Sequence, residues 1–170
     1  LHVVNHLTGK PTSETRNVLI ESARIARSKI QPLSDYNPGN FDAIIFPGGF
    51  GVAKNLSSFA TDGANCTINT DVFNAIQGTF KLKKPIGALC IAPTLLVKIF
   101  GDIEVTIGND KGTIETIKTM GGKHTIASQG QIVVDTANKI VTTPCYMLNS
   151  TISQIHEGAF NVVKEIIELC

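Results

Sequence analysis

Two short apolar runs, each stopping abruptly at small residues, constrain this chain more than any other feature. Phe41-Asp42-Ala43-Ile44-Ile45-Phe46 ends at Pro47-Gly48-Gly49, and Pro85-Ile86-Gly87-Ala88-Leu89 ends at Cys90. Runs this short, without polar alternation, suit strands buried on both faces, as in a parallel sheet. The second run passes into Ile91-Ala92-Pro93-Thr94-Leu95-Leu96-Val97-Lys98-Ile99-Phe100, a buried-helix pattern. A proline fits that helix only in its first turn, so the helix starts at or just after Cys90. Cys90 thus sits on a strand-to-helix corner.

The remaining chain alternates in the same way. Pro11-Thr12-Ser13-Glu14 carries helix-capping signals, with Thr12 or Ser13 as the cap, ahead of Val18, Leu19, Ala23, Ile25 and Ala26 at near-helical spacing. Residues 51–70 read as loop with a short helix near Lys54–Phe59, and Asp71–Lys83 as a surface helix. Ile103–Ile107 suits a strand, Thr113–Met120 a short helix. Gln131–Val134 and Lys139–Thr142 flank Asp135-Thr136-Ala137-Asn138, a hairpin signal. Asn149–Leu169 is a long amphipathic helix. Short strands alternating with helices call for an α/β layer fold with a mostly parallel sheet and one β-hairpin.

Composition narrows the function classes. The 170 residues suffice for one core, and a net charge of +1 lacks the basic excess of a dedicated nucleic-acid binder. The apolar runs are too short to span a bilayer. Cys66, Cys90, Cys145 and Cys170 form no C-x-x-C pair, which argues for reduced cysteines over a zinc or disulfide framework. No ligand cluster or phosphate loop points to a metal or nucleotide cofactor. The chain opens on Leu1, and His2-Val3-Val4-Asn5 reads as the end of a strand, so residues 1–170 are expected to form one domain lacking its first strand–helix unit.

In an open parallel sheet, ligands gather at the carboxyl ends of the strands. Three such ends matter: Asn5-His6, Pro47 to Gly51, and Leu89-Cys90-Ile91. Gly87, Ala88 and Ala92 leave room for a sharp corner that lifts the Cys90 thiol over the sheet, and free amides at the helix start favour its thiolate. The alternative is a structural cysteine beneath the helix. Gly48-Gly49 can bring a backbone donor to the same place, with the Ile91 amide as the second half of an oxyanion site; an ordinary tight turn is the alternative. His6, Lys54 and Asn55 are candidate substrate contacts, each set against a solvated or hydrogen-bonded loop role. His124 reads as a surface or packing residue at the beginning of a strand. His2 and His156 carry no signal. Cys145 follows Thr143-Pro144 at the hairpin's end and is a candidate site neighbour, while Cys66 and Cys170 are incidental.

Phe46-Pro47-Gly48-Gly49 followed by Ala53-Lys54-Asn55-Leu56, and then Ala88-Leu89-Cys90-Ile91-Ala92-Pro93, resembles the ThiJ/PfpI superfamily, kin of class I glutamine amidotransferase domains. Asn5 to Gly9, Glu14 to Ile20, Pro47 to Leu56 and Ile140 to Pro144 are similar to its enhancing-lycopene-biosynthesis branch. The resemblance implies a flavodoxin-like three-layer sandwich, a homodimer, a cytoplasmic location (mitochondrial in a eukaryote) and Cys90 as the reactive atom. It also implies weak, cofactor-independent glyoxalase activity on methylglyoxal or glyoxal. Two family features have no counterpart: the glutamate from the first strand–helix unit, and a histidine near Thr106-Ile107-Gly108. A Cys-His dyad is therefore unsupported, and a redox sensor or an inert scaffold competes with the enzyme.

Overall fold

The computed structural model describes residues 3–170, and the chain divides into two compact units, Leu1–Tyr36 and Asn37–Cys170. His2 lies outside the described residues.

The first unit holds strand β1 (Val4–Asn5), strand β2 (Lys10–Pro11) and helix α1 (Val18–Ala26). β1 and β2 pair antiparallel as a hairpin, with Val4 opposite Pro11. Asn17, not Thr12 or Ser13, caps α1: its side chain accepts a hydrogen bond from the Ile20 amide at 3.1 Å. The cap belongs to the residue whose extended backbone directly precedes the helix, and the chain around Ser13 has not yet become helical.

The second unit runs β3 (Ile44–Phe46), α2 (Phe59–Asp62), α3 (Thr70–Lys81), β4 (Ile86–Leu89), α4 (Pro93–Phe100), β5 (Glu104–Val105), α5 (Lys111–Thr119), β6 (Lys123–His124), β7 (Val133–Asp135), β8 (Ile140–Thr143) and α6 (Ile152–Leu169). Its central sheet has the order β3-β4-β8-β7. The first two pairings are parallel and the last is the expected antiparallel hairpin. β5 and β6 pair parallel beside it. The helix expected near Lys54–Phe59 is instead a wide π-type turn over Val52–Leu56, followed by the short α2.

Pleating sorts the sheet residues between two faces. Ile45, Gly87, Val141 and Thr143 face α6; Ile86 and Ala88 face the opposite side. Gly87 shows how closely α6 lies, because a Cβ there would sit 2.6 Å from Ile166 Cδ1 and 3.1 Å from Val162 Cγ1. A Thr151–Gln154 capping box fixes the start of α6, and Gly158, Val162 and Ile166 are its buried positions. α4 is buried over Pro93 to Val97, with Pro93 at its first turn as its rigid ring requires.

Gly87→Ala should therefore destabilise the second unit. Overpacking at such a contact costs about 1–3 kcal/mol. Urea denaturation followed by circular dichroism would read this as a lower midpoint; an unchanged midpoint would mean that α6 moves away freely.

Candidate functional site

The parallel register determines what meets at the sheet's carboxyl end. Phe46 lies opposite Ala88, and Leu89 opposite Thr143, so the chain segments leaving β3, β4 and β8 start side by side. They are Pro47-Gly48-Gly49, Cys90-Ile91 and Pro144-Cys145. The Cys90 amide extends the ladder by one rung, donating to the Thr143 carbonyl at 3.0 Å.

Cys90 itself turns the corner with φ +60°, a left-handed conformation that costs a side-chain-bearing residue about 1–3 kcal/mol. The corner is held from both sides. Downstream, Ala92 donates to the Leu89 carbonyl at 3.0 Å, and Thr94 holds the Ile91 carbonyl with its amide at 3.2 Å and its hydroxyl at 2.7 Å. Upstream, Gly48 lies against it with φ +95°. A Cβ on Gly48 would come within 2.7 Å of the Leu89 carbonyl oxygen and 2.8 Å of Cys90 Cβ. This close approach is what the double glycine permits, and it makes the turn a wall of the cysteine site.

Gly49 also has positive φ, +91°, yet its Cα faces open space. Among the described residues, neither the Gly49 amide nor the Ile91 amide donates a hydrogen bond within the protein. Cys90 is a half-buried free thiol. A half-buried sulfur and two uncommitted amides thus occur together at the strand ends. Among the described residues no side chain hydrogen-bonds the Cys90 sulfur, and no cluster of His, Cys, Asp and Glu able to hold a metal is present.

The other sequence candidates distribute differently. Lys54 lies in the π-type turn with its Nζ 5.5 Å from the centre of the exposed Phe50 ring, a cation–π contact. Asn55 follows it, with its amide nitrogen near Gly51. His6 is exposed in the turn of the first unit's hairpin, so it does not follow a strand of a parallel sheet as the sequence suggested. The reason is that β1 meets β2 antiparallel. Cys145 is buried, with φ +46°, and its thiol is pushed up to about 11 by desolvation and then by the charge of Cys90. That left-handed cysteine had no signal in the sequence beyond its place after Thr143-Pro144.

His124 corrects a reading too. It ends β6 instead of beginning a strand, because the chain is already extended from Lys123 directly after Gly122. Its Nε2 accepts from the Ile107 amide at 3.1 Å, which makes that nitrogen unprotonated and gives the imidazole a packing role beside Thr106-Ile107-Gly108. Burial, and then the Lys118 charge, hold its pKa below the ordinary histidine value. A large open groove elsewhere, between the loop carrying Gln129, Gly130 and Gln131 and the α6 residues Glu157 and Asn161, includes no residue of the cysteine site.

Two measurements follow from this geometry. Gly48→Ala should change the alkylation rate of Cys90 by iodoacetamide several-fold, since its methyl group meets Cys90 Cβ; an unaltered rate would show that the turn yields without moving the thiol. For His124, the lowered pKa means that the folded chain binds fewer protons. Its stabilisation is complete above the unfolded value of about 6.5 and is lost as pH falls through the lower folded value. His124→Gln, which keeps an acceptor but does not titrate, should flatten that loss in urea denaturation; an identical pH slope would assign it to other groups.

No family model matches the chain. Curated relatives do. It is 45% identical over 179 residues to the rat "ES1 protein homolog, mitochondrial", covering 99% of this chain and 67% of that protein. The human "Glutamine amidotransferase-like class 1 domain-containing protein 3, mitochondrial" is 44% identical with the same coverage. Among solved structures, an isoprenoid biosynthesis protein with an amidotransferase-like domain from Ehrlichia chaffeensis superposes with TM-score 0.90 at 34% identity, over 99% of this chain and 78% of that one. Glyoxalase III from Candida albicans, at TM-score 0.62 and 14% identity over 89% of this chain and 68% of that one, shares the fold. The mixed sheet and these relatives agree: the chain belongs to the class I glutamine amidotransferase-like family of ES1 proteins, on a flavodoxin-like α/β fold.

Proposed function

We propose that the chain is a cysteine-dependent, cofactor-independent enzyme acting weakly on small reactive aldehydes, with methylglyoxal or glyoxal as substrate and the hydroxy acid as product. The observation that supports this most is the left-handed, half-exposed Cys90 beside two amides without acceptors. In this reading the Cys90 thiolate adds to the aldehyde carbon and forms a hemithioacetal. The amides of Gly49 and Ile91 receive its oxyanion. The aldehyde hydrogen leaves as a proton, another returns to the neighbouring carbon, and the resulting thioester is opened by water. These transfers need an acid/base group beside the sulfur. Lys54 and Asn55, from the turn after Gly49, are assigned to an anionic product, and Cys145 to the inner wall of the site.

A second reading has its own support. Among the described residues nothing hydrogen-bonds the Cys90 sulfur, so the general acid/base that aldehyde isomerisation requires has no visible holder. Oxidation of a thiolate needs no such partner. Cys90 then acts as a redox sensor, with aldehyde turnover vestigial. The mitochondrial names of the rat and human relatives support a mitochondrial or cytoplasmic compartment, where free thiols persist. A homodimer is part of the proposal and rests on the family resemblance.

Purified protein should convert methylglyoxal to lactate, and Cys90→Ala should reduce that conversion to the uncatalysed background while leaving the denaturation midpoint close to wild type. Turnover retained in Cys90→Ala would remove the enzyme reading. No turnover in the wild type, with Cys90 the first thiol oxidised by dilute peroxide, would establish the second reading in its place.

A further inference from the structure

We propose that Cys145 is the resolving partner of Cys90, and that hydrogen peroxide converts the pair into an intramolecular disulfide across the ends of β4 and β8. The inference rests on the redox reading of Cys90 and adds the residue that would capture its oxidised form.

Register carries the argument. Leu89 pairs with Thr143, and the Cys90 amide donates to the Thr143 carbonyl at 3.0 Å, so Cys90 lies opposite Pro144 and Cys145 is one residue further along. Pro144 leaves the strand with right-handed backbone and Cys145 opens the turn through Met147, so the two cysteines occupy neighbouring strand ends. Disulfides span roughly 4.4–6.8 Å between Cα atoms. The Cys90 side chain packs against the apolar cluster that contains Cys145.

The backbone supplies a second observation. Among the described non-glycine residues with positive φ, Arg27, Ser28 and Lys83 follow helices and Lys139 lies in the hairpin turn. Such positions adopt the left-handed region routinely. Cys90 and Cys145 do not: Cys90 directly follows β4, Cys145 follows β8 after Pro144, both are left-handed, and the two strands are neighbours. A strained backbone at two adjacent cysteines marks a functional place more often than a structural one.

The chemistry balances. The Cys90 thiolate attacks peroxide, its sulfur bonds to one oxygen, the O–O bond breaks and hydroxide leaves, giving the sulfenic acid. The Cys145 sulfur then attacks the Cys90 sulfur, the S–O bond breaks, and the displaced oxygen leaves as water with the Cys145 proton. Peroxide is the only oxidant consumed. Cys145 rests as a buried thiol, which spares it from direct attack.

The test is peroxide titration of the wild-type chain, alkylation of remaining thiols without reductant, and peptide mass spectrometry. The expected product links the Cys90 and Cys145 peptides, with Cys66 and Cys170 alkylated, and dithiothreitol reverses it. In Cys145→Ser, Cys90 should accumulate sulfinic acid several-fold faster than in wild type, because nothing captures the sulfenic acid. Cys90 oxidised to sulfinic acid in wild type with Cys145 still alkylated would overturn the pairing while leaving the sensor reading in place. Cys90 resistant to peroxide would overturn both. A disulfide from Cys90 to Cys66 or Cys170 would also overturn the assignment to Cys145.

Discussion

One backbone hydrogen bond holds this molecule's chemistry in place: the Cys90 amide to the Thr143 carbonyl, 3.0 Å. It is the last rung between β4 and β8, and it fixes residue 90 at the moment the chain leaves the sheet. The left-handed φ of +60° is disfavoured for a residue with a Cβ, and this rung is one of the contacts that hold it. The same rung brings Pro144 and Cys145 beside the corner, so the strain at Cys90 and the placement of the second cysteine have one cause. Gly48 closes the third side, and only a residue without Cβ leaves space there for the Leu89 carbonyl and the Cys90 side chain. The site is thus a product of sheet register before it is a product of any side chain.

Strain at two positions, about 1–3 kcal/mol each, must be offset by packing around them. Leu89, Val141, Val162 and Ile166 form the cluster that holds both cysteines, and α6 supplies half of it. Gly87 and Gly158 let α6 approach so closely: a Cβ on Gly158 would meet Thr143 Oγ1 at 2.8 Å. Thr143 therefore joins the helix contact to the rung that fixes Cys90. Stability of the α6 interface and reactivity of the thiol are linked through that one residue, although they lie on different elements.

Much of this was legible in the sequence, and the reasons are local. Phe41–Phe46 and Pro85–Leu89 announced buried strands because apolar runs of that length have few other fates. Pro93 fixed the start of α4, since its ring tolerates only the first turn. The hairpin around Asp135–Asn138 and the amphipathic α6 were equally plain. What failed depends on partners distant in sequence. The cap of α1 moved to Asn17 because extended backbone continues past Ser13. β1 joined a hairpin, and no periodicity in two residues can distinguish that from a parallel strand. His124 ended a strand whose length is set by its pairing with β5. The left-handed turn at Cys145 was invisible for the same reason: nothing in Thr143-Pro144-Cys145 specifies φ, which the neighbouring elbow and the turn through Cys145–Met147 decide together.

The family relationship and the thiol environment then separate two questions that a motif alone runs together. An elbow cysteine beside amides without internal acceptors is a setting that suits a reactive sulfur. Catalysis of an aldehyde rearrangement demands more: protons must leave one carbon and reach another, and that traffic needs a group with a suitable pKa in contact with the adduct. Here the groups nearest the sulfur by register are amides, an apolar cluster and a second thiol. Such surroundings lower the demand for acid/base chemistry only when the reaction is at sulfur itself. The ends of β4 and β8 thus supply what sulfur-to-sulfur chemistry asks for, whereas the proposed aldehyde chemistry on the same elbow draws its proton carrier from outside that strand pair.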